Sequence, residues 1–530
     1  MTTIRPLPTA APSARGVDAS GVQAFLDAVD ASDTVEPHSL MILRHGDVVA
    51  SGWWAPYAPD RLHLLYSLSK SFTSLAAGFA VAEGLIGLDD PVISYFPEFA
   101  DEITDPRSRA MLVRHVASMS SGHEAETFER AHTLDPGELV RGFLLLPPDR
   151  DPGTVFAYNQ PATYTLAAIL QRVTGLSLTD YLRPRLLDPL GIGEVVWLHD
   201  RTGRQLGFSG LHGTTDAVAR LGRFLLREGE WEGERLLPRE WLAEATRVHI
   251  PTAGIMGDAT RSDWGQGYGL QFWRSRHGYR GDGAYGQFCL VLPDQDAVIA
   301  TTAGTDDMQG LLDLVWEHLL PAFRPEPLTG REDADAALAV RLAALALPAA
   351  TGLPAPRGDV AGWEGAAFTP YGGVCADQPG LTGVEVLRDG DGWALVLTEG
   401  DDRLTARLGG GAGWRESDAT PAGATGGGLP LAVSGGWNEG DDADGDTLAV
   451  DVLFLETPHR LRVTCSRADG TFTARWQTRP LHGGPMRRLR APRAVTPVRG
   501  TAPGDDAATD RGAKDCGVTG RGATADAASG

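Results

Sequence analysis

Lysine is almost absent from this chain. Lys70 and Lys514 are the only two, and arginine supplies 45 of the 47 basic residues. Arginine keeps its proton in proteins, whereas a buried lysine can lose it. Lys70 is therefore a candidate for proton-transfer chemistry. The alternative interpretation is that one lysine survived a general bias by chance.

Cysteine and long apolar runs are also scarce, and both absences exclude classes of protein. The four cysteines are far apart and form no CxxC pair, which argues against a disulfide scaffold and a zinc site. The sequence contains no stretch of about 18 apolar residues, so no membrane helix is predicted. Residues 1–22 lack the apolar core of a signal peptide, so a cytoplasmic location is expected.

Excess positive charge is missing as well. The formal net charge is -22, and no basic stripe interrupts it, so nucleic acid and anionic membranes are not expected partners. There is no P-loop and no His-Glu-x-x-His motif, and the histidines are scattered. No cofactor or metal is therefore expected.

The pattern of elements predicts an α+β domain followed by a β-rich domain. Helices lie in the middle of the first part and strands at both of its ends, which suits a sheet closed by distant chain segments. The predicted boundaries are a first domain at 1–325, a connecting helix and linker at 326–358, an antiparallel β domain at 359–492 and a disordered tail at 493–530. The tail contains no aromatic, Leu or Ile residue.

Several individual elements follow from the local patterns. They are strands at Leu40–Leu43 and Val48–Trp53, helices at Ser67–Glu83 and Ser108–Ser118, strands at Trp264–Trp273 and Ala284–Leu292, and a glycine-rich loop near 409–428.

The segment from Tyr66 to Thr73 opens a helix and carries a Ser-x-x-Lys pattern. Ser67 and Lys70 are three positions apart, hence on one helix face, where the amine can reach the hydroxyl. A serine needs such a base to act as a nucleophile at neutral pH. The amine must then lose about 3 pKa units, which burial can supply. The alternative is a capped helix with a surface lysine.

A second pattern, Phe156-Ala157-Tyr158-Asn159-Gln160, lies about 90 residues downstream of the first. Together the two patterns resemble the serine β-lactamases and penicillin-binding proteins, especially the class C and carboxylesterase branch. The resemblance implies that Tyr158 shuttles a proton to the leaving group. Gln160 replaces the family's Asn and keeps an amide. Without the resemblance, Tyr158 could be a core tyrosine in a turn.

The third pattern is Gly281-Asp282-Gly283-Ala284, which is predicted to begin a strand. It resembles the family's Lys-Thr-Gly, with Gly283 matching and Gly281 and Asp282 departing from it. The resemblance implies that the Ala284 N–H pairs with that of Ser67 as an oxyanion hole. Asp282 would repel a substrate carboxylate, which favours neutral or amine-bearing substrates. The alternative is an ordinary glycine-rich strand entry.

These patterns predict a serine hydrolase that acts through an acyl-enzyme on a small ester or amide. Two alternatives stay open: a non-catalytic binding or scaffold protein on the same fold, and a D-Ala-D-Ala carboxypeptidase or β-lactamase. The segment Gly207-Phe208-Ser209-Gly210 lacks the last glycine of a nucleophile elbow, so an α/β-hydrolase is not favoured. The oligomeric state is left open.

Overall fold

A computed structural model gives the structure of the chain. It describes residues 5–357, 360–409, 413–419, 428–438, 447–481 and 483–493. The tail predicted to be disordered lies, from residue 494 onward, outside the described residues. Every helix of the described residues is too short or too polar to span a bilayer.

In residues 5–343 most of the helices follow one another in the middle, and strands lie before and after them. The α-helices are α1 (Ala19–Asp30), α2 (Ser69–Ala82), α3 (Pro106–Ala110), α4 (Val113–Ala117), α5 (Phe128–Leu134), α6 (Leu139–Leu145), α7 (Gln160–Thr174), α8 (Leu178–Leu182), α9 (Thr215–Leu226), α10 (Arg239–Thr246), α11 (Met308–Leu314) and α12 (Glu332–Ala343). Five short strands lie outside the large sheets: β3 (His63–Leu64), β4 (Val196–Trp197), β5 (Leu211–Gly213), β6 (Glu230–Trp231) and β7 (Glu234–Arg235).

An antiparallel six-stranded sheet forms the centre of this part. Its strands are β1 (Pro37–Arg44), β2 (Asp47–Trp53), β8 (Trp273–Arg274), β9 (Tyr279–Gly283), β10 (Gln287–Leu292) and β11 (Ala297–Ala303). Their order is β2-β1-β11-β10-β9-β8, so the pairing of β1 with β11 joins the start of the domain to its end. Leu40 of β1 lies opposite Thr301 of β11. The expected α+β architecture with a sheet closed by distant segments is confirmed.

Helix α2 packs inside this domain, and every residue from Ser69 to Ala80 is buried. Its Ala, Leu and Phe residues favour the helix and pack on all sides of it. Gly84 ends the helix with a φ of 71°, and the N–H of Leu85 donates to the carbonyl of Ala80. The helix thus holds its first turn at a fixed depth in the fold.

A second sheet of nine strands follows α12. Its strands are β12 (Ala367–Pro370), β13 (Leu381–Asp389), β14 (Gly392–Glu399), β15 (Asp402–Arg407), β16 (Arg415–Ala419), β17 (Leu429–Trp437), β18 (Thr447–Phe454), β19 (His459–Ser466) and β20 (Thr471–Trp476). The order is β15-β14-β13-β12-β20-β19-β18-β17-β16. Because β15 and β16 also contact each other, the sheet curls into a nearly closed barrel around Trp363, Trp393 and Trp437.

The structure corrects four of the predicted elements. The predicted strand at Trp264–Trp273 is a 3-10 turn at Asp263–Gln266 followed by loop, and only Trp273 enters a strand. The predicted helix at Ser108–Ser118 is the pair α3 and α4, broken at Met111 and Leu112 where the backbone is extended. The predicted strand at Ala284–Leu292 begins only at Gln287. Part of the predicted loop at 409–428 is strand β16.

Candidate active site

Ser67 lies in a single 3-10 turn, Tyr66–Leu68, directly before α2. The turn follows Leu65, the residue directly after β3, at the edge of the helical region. Tyr66 has a φ of 46°, an uncommon value for a bulky residue. Its carbonyl accepts a hydrogen bond from Ser69 Oγ at 2.6 Å, and this contact stabilises the turn. This geometry leaves Ser67 only half-buried, while its neighbours on both sides are buried.

Lys70 lies one helical turn further on and is completely enclosed. Its Nζ is 3.0 Å from Ser67 Oγ. The same nitrogen donates to Gln160 Oε1 at 2.7 Å and to the carbonyl of Phe208 at 2.8 Å. The structure therefore brings together the predicted serine, lysine and glutamine, although Gln160 begins helix α7 ninety positions later.

The environment of Lys70 shifts its protonation. Burial lowers the pKa of Lys70 well below its usual value, and the carboxylates of Asp282 and Glu126 oppose that shift. A neutral amine has two N–H donors and one lone pair. Gln160 and Phe208 take two donors, so the lone pair of a neutral Lys70 faces the Ser67 hydroxyl.

Tyr158 lies beside both Ser67 and Lys70. Its ring stacks on Trp273 with centroids 5.5 Å apart, and Lys70 Nζ is 4.7 Å from the centre of the Tyr158 ring. Burial raises the pKa of Tyr158, and a hydrogen bond with Ser67 opposes the rise. The phenol thus keeps its proton at neutral pH and stays within reach of the nucleophile.

The third predicted segment runs beside the Ser67 turn. Gly281 and Gly283 face the turn and α2 so closely that a side chain would not fit: a Cβ on Gly283 would be 2.1 Å from the Leu65 carbonyl oxygen. Ala284 packs in the small cluster that contains Tyr66. The segment ends strand β9 instead of beginning a strand, because Tyr285 and Gly286, with φ of 70° and 91°, turn the chain into β10.

Asp282, which was expected to repel a substrate carboxylate, is not among the residues that line the cavity at Ser67. Its carboxylate is buried and accepts a hydrogen bond from Arg280 Nε at 2.7 Å. Burial raises the pKa of Asp282, while Arg280 and Lys70 lower it. The charge of this carboxylate is therefore balanced inside the protein.

A cavity of about 440 Å³ opens at Ser67. Its lining residues are Tyr66, Ser67, Glu126, Phe128, Glu129, Gln160, Phe208, Ser209, Leu481 and Gly483. The two charged side chains among them, Glu126 and Glu129, are both acidic and exposed. Three of the remaining lining residues are aromatic: Tyr66, Phe128 and Phe208.

Sequence reasoning missed several of these residues. The segment that contains Phe208 and Ser209 was interpreted only as a possible nucleophile elbow. Its two glycines, however, are a sign of close backbone approach. Leu481 and Gly483 come from the C-terminal β-rich part, in which no site was predicted. Among the described residues, no group of three or more His, Cys, Asp or Glu side chains is placed to hold a metal ion.

Comparison with known proteins gives several relatives. A 6-aminohexanoate-dimer hydrolase of Paenarthrobacter ureafaciens is 28% identical over 292 residues, which cover 51% of this chain and 73% of the relative. Penicillin-binding protein 4 of Amycolatopsis lactamdurans is 25% identical, with 57% of this chain and 92% of the relative covered. Esterase EstB of Burkholderia gladioli is 27% identical, with 34% and 53% covered.

Structural and family comparisons agree with these relatives. A Bacillus anthracis structure assigned as a 6-aminohexanoate-dimer hydrolase superposes with a TM-score of 0.50 at 20% identity, covering 62% of this chain and 89% of the other. The sequence profile of the β-lactamase family matches residues 23–320. That match spans more than half of the chain and includes all three segments that carry the site. The chain therefore belongs to the β-lactamase family of serine hydrolases.

Proposed function

We propose that the protein hydrolyses a small ester or amide through an acyl-enzyme on Ser67. The observation that carries the proposal is the position of Lys70 Nζ, 3.0 Å from Ser67 Oγ, with its other two contacts made to acceptors. A neutral amine held in this way can accept a proton only from the serine. The names of the hydrolase and esterase relatives agree with this reaction class.

The reaction has two halves, each with its own proton path. Ser67 Oγ attacks the carbonyl carbon while its proton moves to Lys70 Nζ. The N–H groups of Ser67 and Ala284 hold the negative charge on the carbonyl oxygen. Tyr158 passes the proton to the leaving alcohol or amine, and the C–O or C–N bond breaks. Water then attacks the acyl group, its proton moves to the enzyme's base, and Ser67 leaves protonated.

The charge around the cavity supports a substrate class. Glu126 and Glu129 are acidic and exposed, and no basic side chain is among the described residues that line the cavity. A substrate carboxylate would be repelled there, whereas an ammonium group or a neutral group is accepted. Penicillins and peptides ending in D-Ala-D-Ala carry a carboxylate, so we expect them to be poorer substrates than neutral or amine-bearing esters.

A nitrophenyl ester and a fluorophosphonate test the nucleophile. We expect a burst of nitrophenolate from the wild type, covalent labelling by the fluorophosphonate, and a labelled peptide that contains Ser67. Ser67→Ala abolishes both signals. Ser209→Ala is the matched control, because this serine lines the same cavity and its hydroxyl has no hydrogen-bond partner. Labelling that survives Ser67→Ala, or a wild type that never acylates, would contradict the proposal and leave a binding protein.

An ester series tests the substrate class. We expect KM to rise from an ammonium-bearing ester to a neutral isostere to a carboxylate-bearing ester. Glu129→Gln should reduce the KM ratio between the carboxylate-bearing and the ammonium-bearing ester by at most about fivefold, because an exposed charge contributes roughly 0.2–1 kcal/mol. Glu129 is preferable to Glu126, whose carboxylate also accepts hydrogen bonds from the backbone N–H groups of Phe128 and Gln160. Turnover of penicillin as fast as of the neutral ester would contradict the assignment.

A cytoplasmic location stays a prediction from the sequence. The structure describes the chain without partner subunits, and the domain boundaries drawn from the sequence likewise stay predictions.

A further inference from the structure

The residue before the nucleophile is held in a strained backbone conformation. Tyr66 has a φ of 46°, in the left-handed region that bulky side chains rarely adopt. Such a conformation persists only where its surroundings enforce it. The peptide between Tyr66 and Ser67 sets the direction of the Ser67 N–H and the position of its Oγ. Whatever holds Tyr66 therefore holds the nucleophile.

The side chain of Tyr66 is held by contacts with the C-terminal sheet. Its hydroxyl is 2.6 Å from Nε2 of His459, the first residue of β19 and 393 positions away. The backbone N–H of Leu481 points to the same hydroxyl from 3.5 Å. The rings of Tyr66 and His459 meet edge to face with centroids 5.8 Å apart. Both residues are buried, so these contacts are made away from water.

The hydrogen bonds of His459 fix its tautomer. Nδ1 is 2.8 Å from the carbonyl oxygen of Thr478, which can only accept, so Nδ1 carries the hydrogen. Nε2 then has a free lone pair and accepts the hydroxyl hydrogen of Tyr66. Burial lowers the pKa of His459 to about 3, so the ring stays neutral at ordinary pH. The contact is therefore a permanent anchor and does not switch near neutrality.

The same ring cluster reaches the second oxyanion donor. Tyr285 packs against both rings, with its centroid 5.5 Å from that of Tyr66 and 5.6 Å from that of His459. The Tyr285 hydroxyl donates to the carbonyl of Arg479, two residues before Leu481. Ala284, which supplies the proposed N–H, is the residue directly before Tyr285. One cluster thus contacts the residues adjacent to both proposed donors.

We propose that His459 is a positioning residue for the acylation step, acting through Tyr66 on Ser67 and through Tyr285 on Ala284. The inference rests on the proposed acyl-enzyme function. It gives the C-terminal sheet a task in catalysis: the sheet aligns the nucleophile and the oxyanion hole. His459 does not touch the reacting atoms in this arrangement. Its removal leaves Ser67, Lys70 and Tyr158 present but releases the turn that aims the serine.

The test measures acylation in the full-length chain with three variants. Tyr66→Phe removes one oxygen, His459→Ala removes the whole ring, and His459→Gln keeps a side-chain oxygen that can accept from Tyr66. We expect the first two to lower the rate of fluorophosphonate labelling and kcat for the nitrophenyl ester by about tenfold to a hundredfold, because small misplacements of a reacting group have effects of that size. KM should stay within about twofold, and His459→Gln should recover part of the rate.

A double variant and a control separate positioning from loss of stability. Tyr66→Phe combined with His459→Ala should lose little more rate than either alone, since both break the same contact. Cys465→Ala, in the same strand and equally buried, should lower the unfolding temperature but leave kcat unchanged. If His459→Ala does not fold, Tyr66→Phe and His459→Gln still give the comparison.

The two ways of failing are distinguishable. A wild type that is not labelled at Ser67 overturns the proposed function itself. A wild type that is labelled, with Tyr66→Phe and His459→Gln both acylating at the wild-type rate, overturns only the role of His459. A change confined to KM also overturns it, because that result indicates a substrate contact instead of alignment of the nucleophile.

Discussion

Lys70→Arg is the sharpest perturbation of the proposed mechanism. The substitution keeps a basic side chain at position 70. Arginine is also the residue that the rest of the described chain uses for every basic side chain other than histidine. The substitution removes the capacity to exist as a neutral base, because a guanidinium stays protonated in proteins. The acceptors Gln160 Oε1 and the Phe208 carbonyl would still be available to it.

The size of the effect follows from the loss of one proton acceptor. General-base catalysis contributes roughly a hundredfold to ten-thousandfold, which corresponds to about 2.7–5.5 kcal/mol of barrier at 1.36 kcal/mol per factor of ten. The arginine side chain is also longer than the enclosed site of Lys70, whose Nζ already has three neighbours within 3.0 Å. We therefore expect kcat to fall by about a thousandfold or more.

Stopped-flow measurement of nitrophenolate release gives the acylation rate directly. Lys70→Met is the matched control, since it fills similar space without a charge or a base, and it should be as slow as Lys70→Arg. Thermal unfolding of both variants checks that the fold is retained. A Lys70→Arg enzyme that acylates within tenfold of the wild type would refute the assignment of Lys70 as the base and direct attention to Tyr158.

Three further results are expected. Tyr158→Phe should lower kcat by about a hundredfold for an amide or alkyl ester, but less for a nitrophenyl ester, whose leaving group needs no proton; equal losses in steady-state assays would argue against a proton shuttle. Because burial lowers the pKa of Lys70 well below 10.5, the unfolded chain binds a proton that the folded chain lacks at pH values between the lowered pKa and 10.5. The unfolding free energy of the wild type relative to Lys70→Met should therefore rise with pH up to about 10.5, as urea denaturation would show; a flat difference would mean a protonated Lys70. Gly283→Ala should lower the unfolding free energy by about 1–3 kcal/mol, because the new Cβ meets the carbonyl of Leu65; a neutral effect on urea unfolding would contradict the close packing there.

The part of the site that a sequence can predict is the part with local spacing. Ser67 and Lys70 lie one helical turn apart, and the helix pattern alone places both on one face. Tyr158 and Gln160 required the resemblance to a family, because nothing local relates them to a helix ninety positions earlier. The strands β1 and β2 were predictable because two short apolar segments flank the hairpin signal His45-Gly46-Asp47.

The errors come from glycine-rich and aromatic segments. Trp264–Trp273 alternates like a strand, but Gly267 adopts a φ of 101° and breaks the extended chain. The strand predicted at Ala284–Leu292 includes Tyr285, a residue type that favours strands, but its φ of 70° places it in a turn. In both cases tertiary contacts overrode local preference.

The contribution of the C-terminal sheet could not be predicted at all. His459 and Leu481 have no spacing relation to Ser67, and neither belongs to a motif of the family. A buried histidine in a strand is ordinarily a satisfied core residue, and only the fold shows that its partner is the residue before the nucleophile. Residues that act through another side chain leave no pattern of their own.

The pairing of β1 with β11 also bears on how the protein is made. Leu40 must wait for Thr301, about 260 positions later, and a ribosome adds roughly 5–20 residues per second. The nascent hairpin of β1 and β2 thus carries one unpaired apolar edge for about 13 to 50 s before β11 emerges. Contacts so distant in sequence slow folding. Expression at reduced temperature or with chaperones should raise the soluble yield, and truncation before β11 should leave aggregates rather than a smaller enzyme.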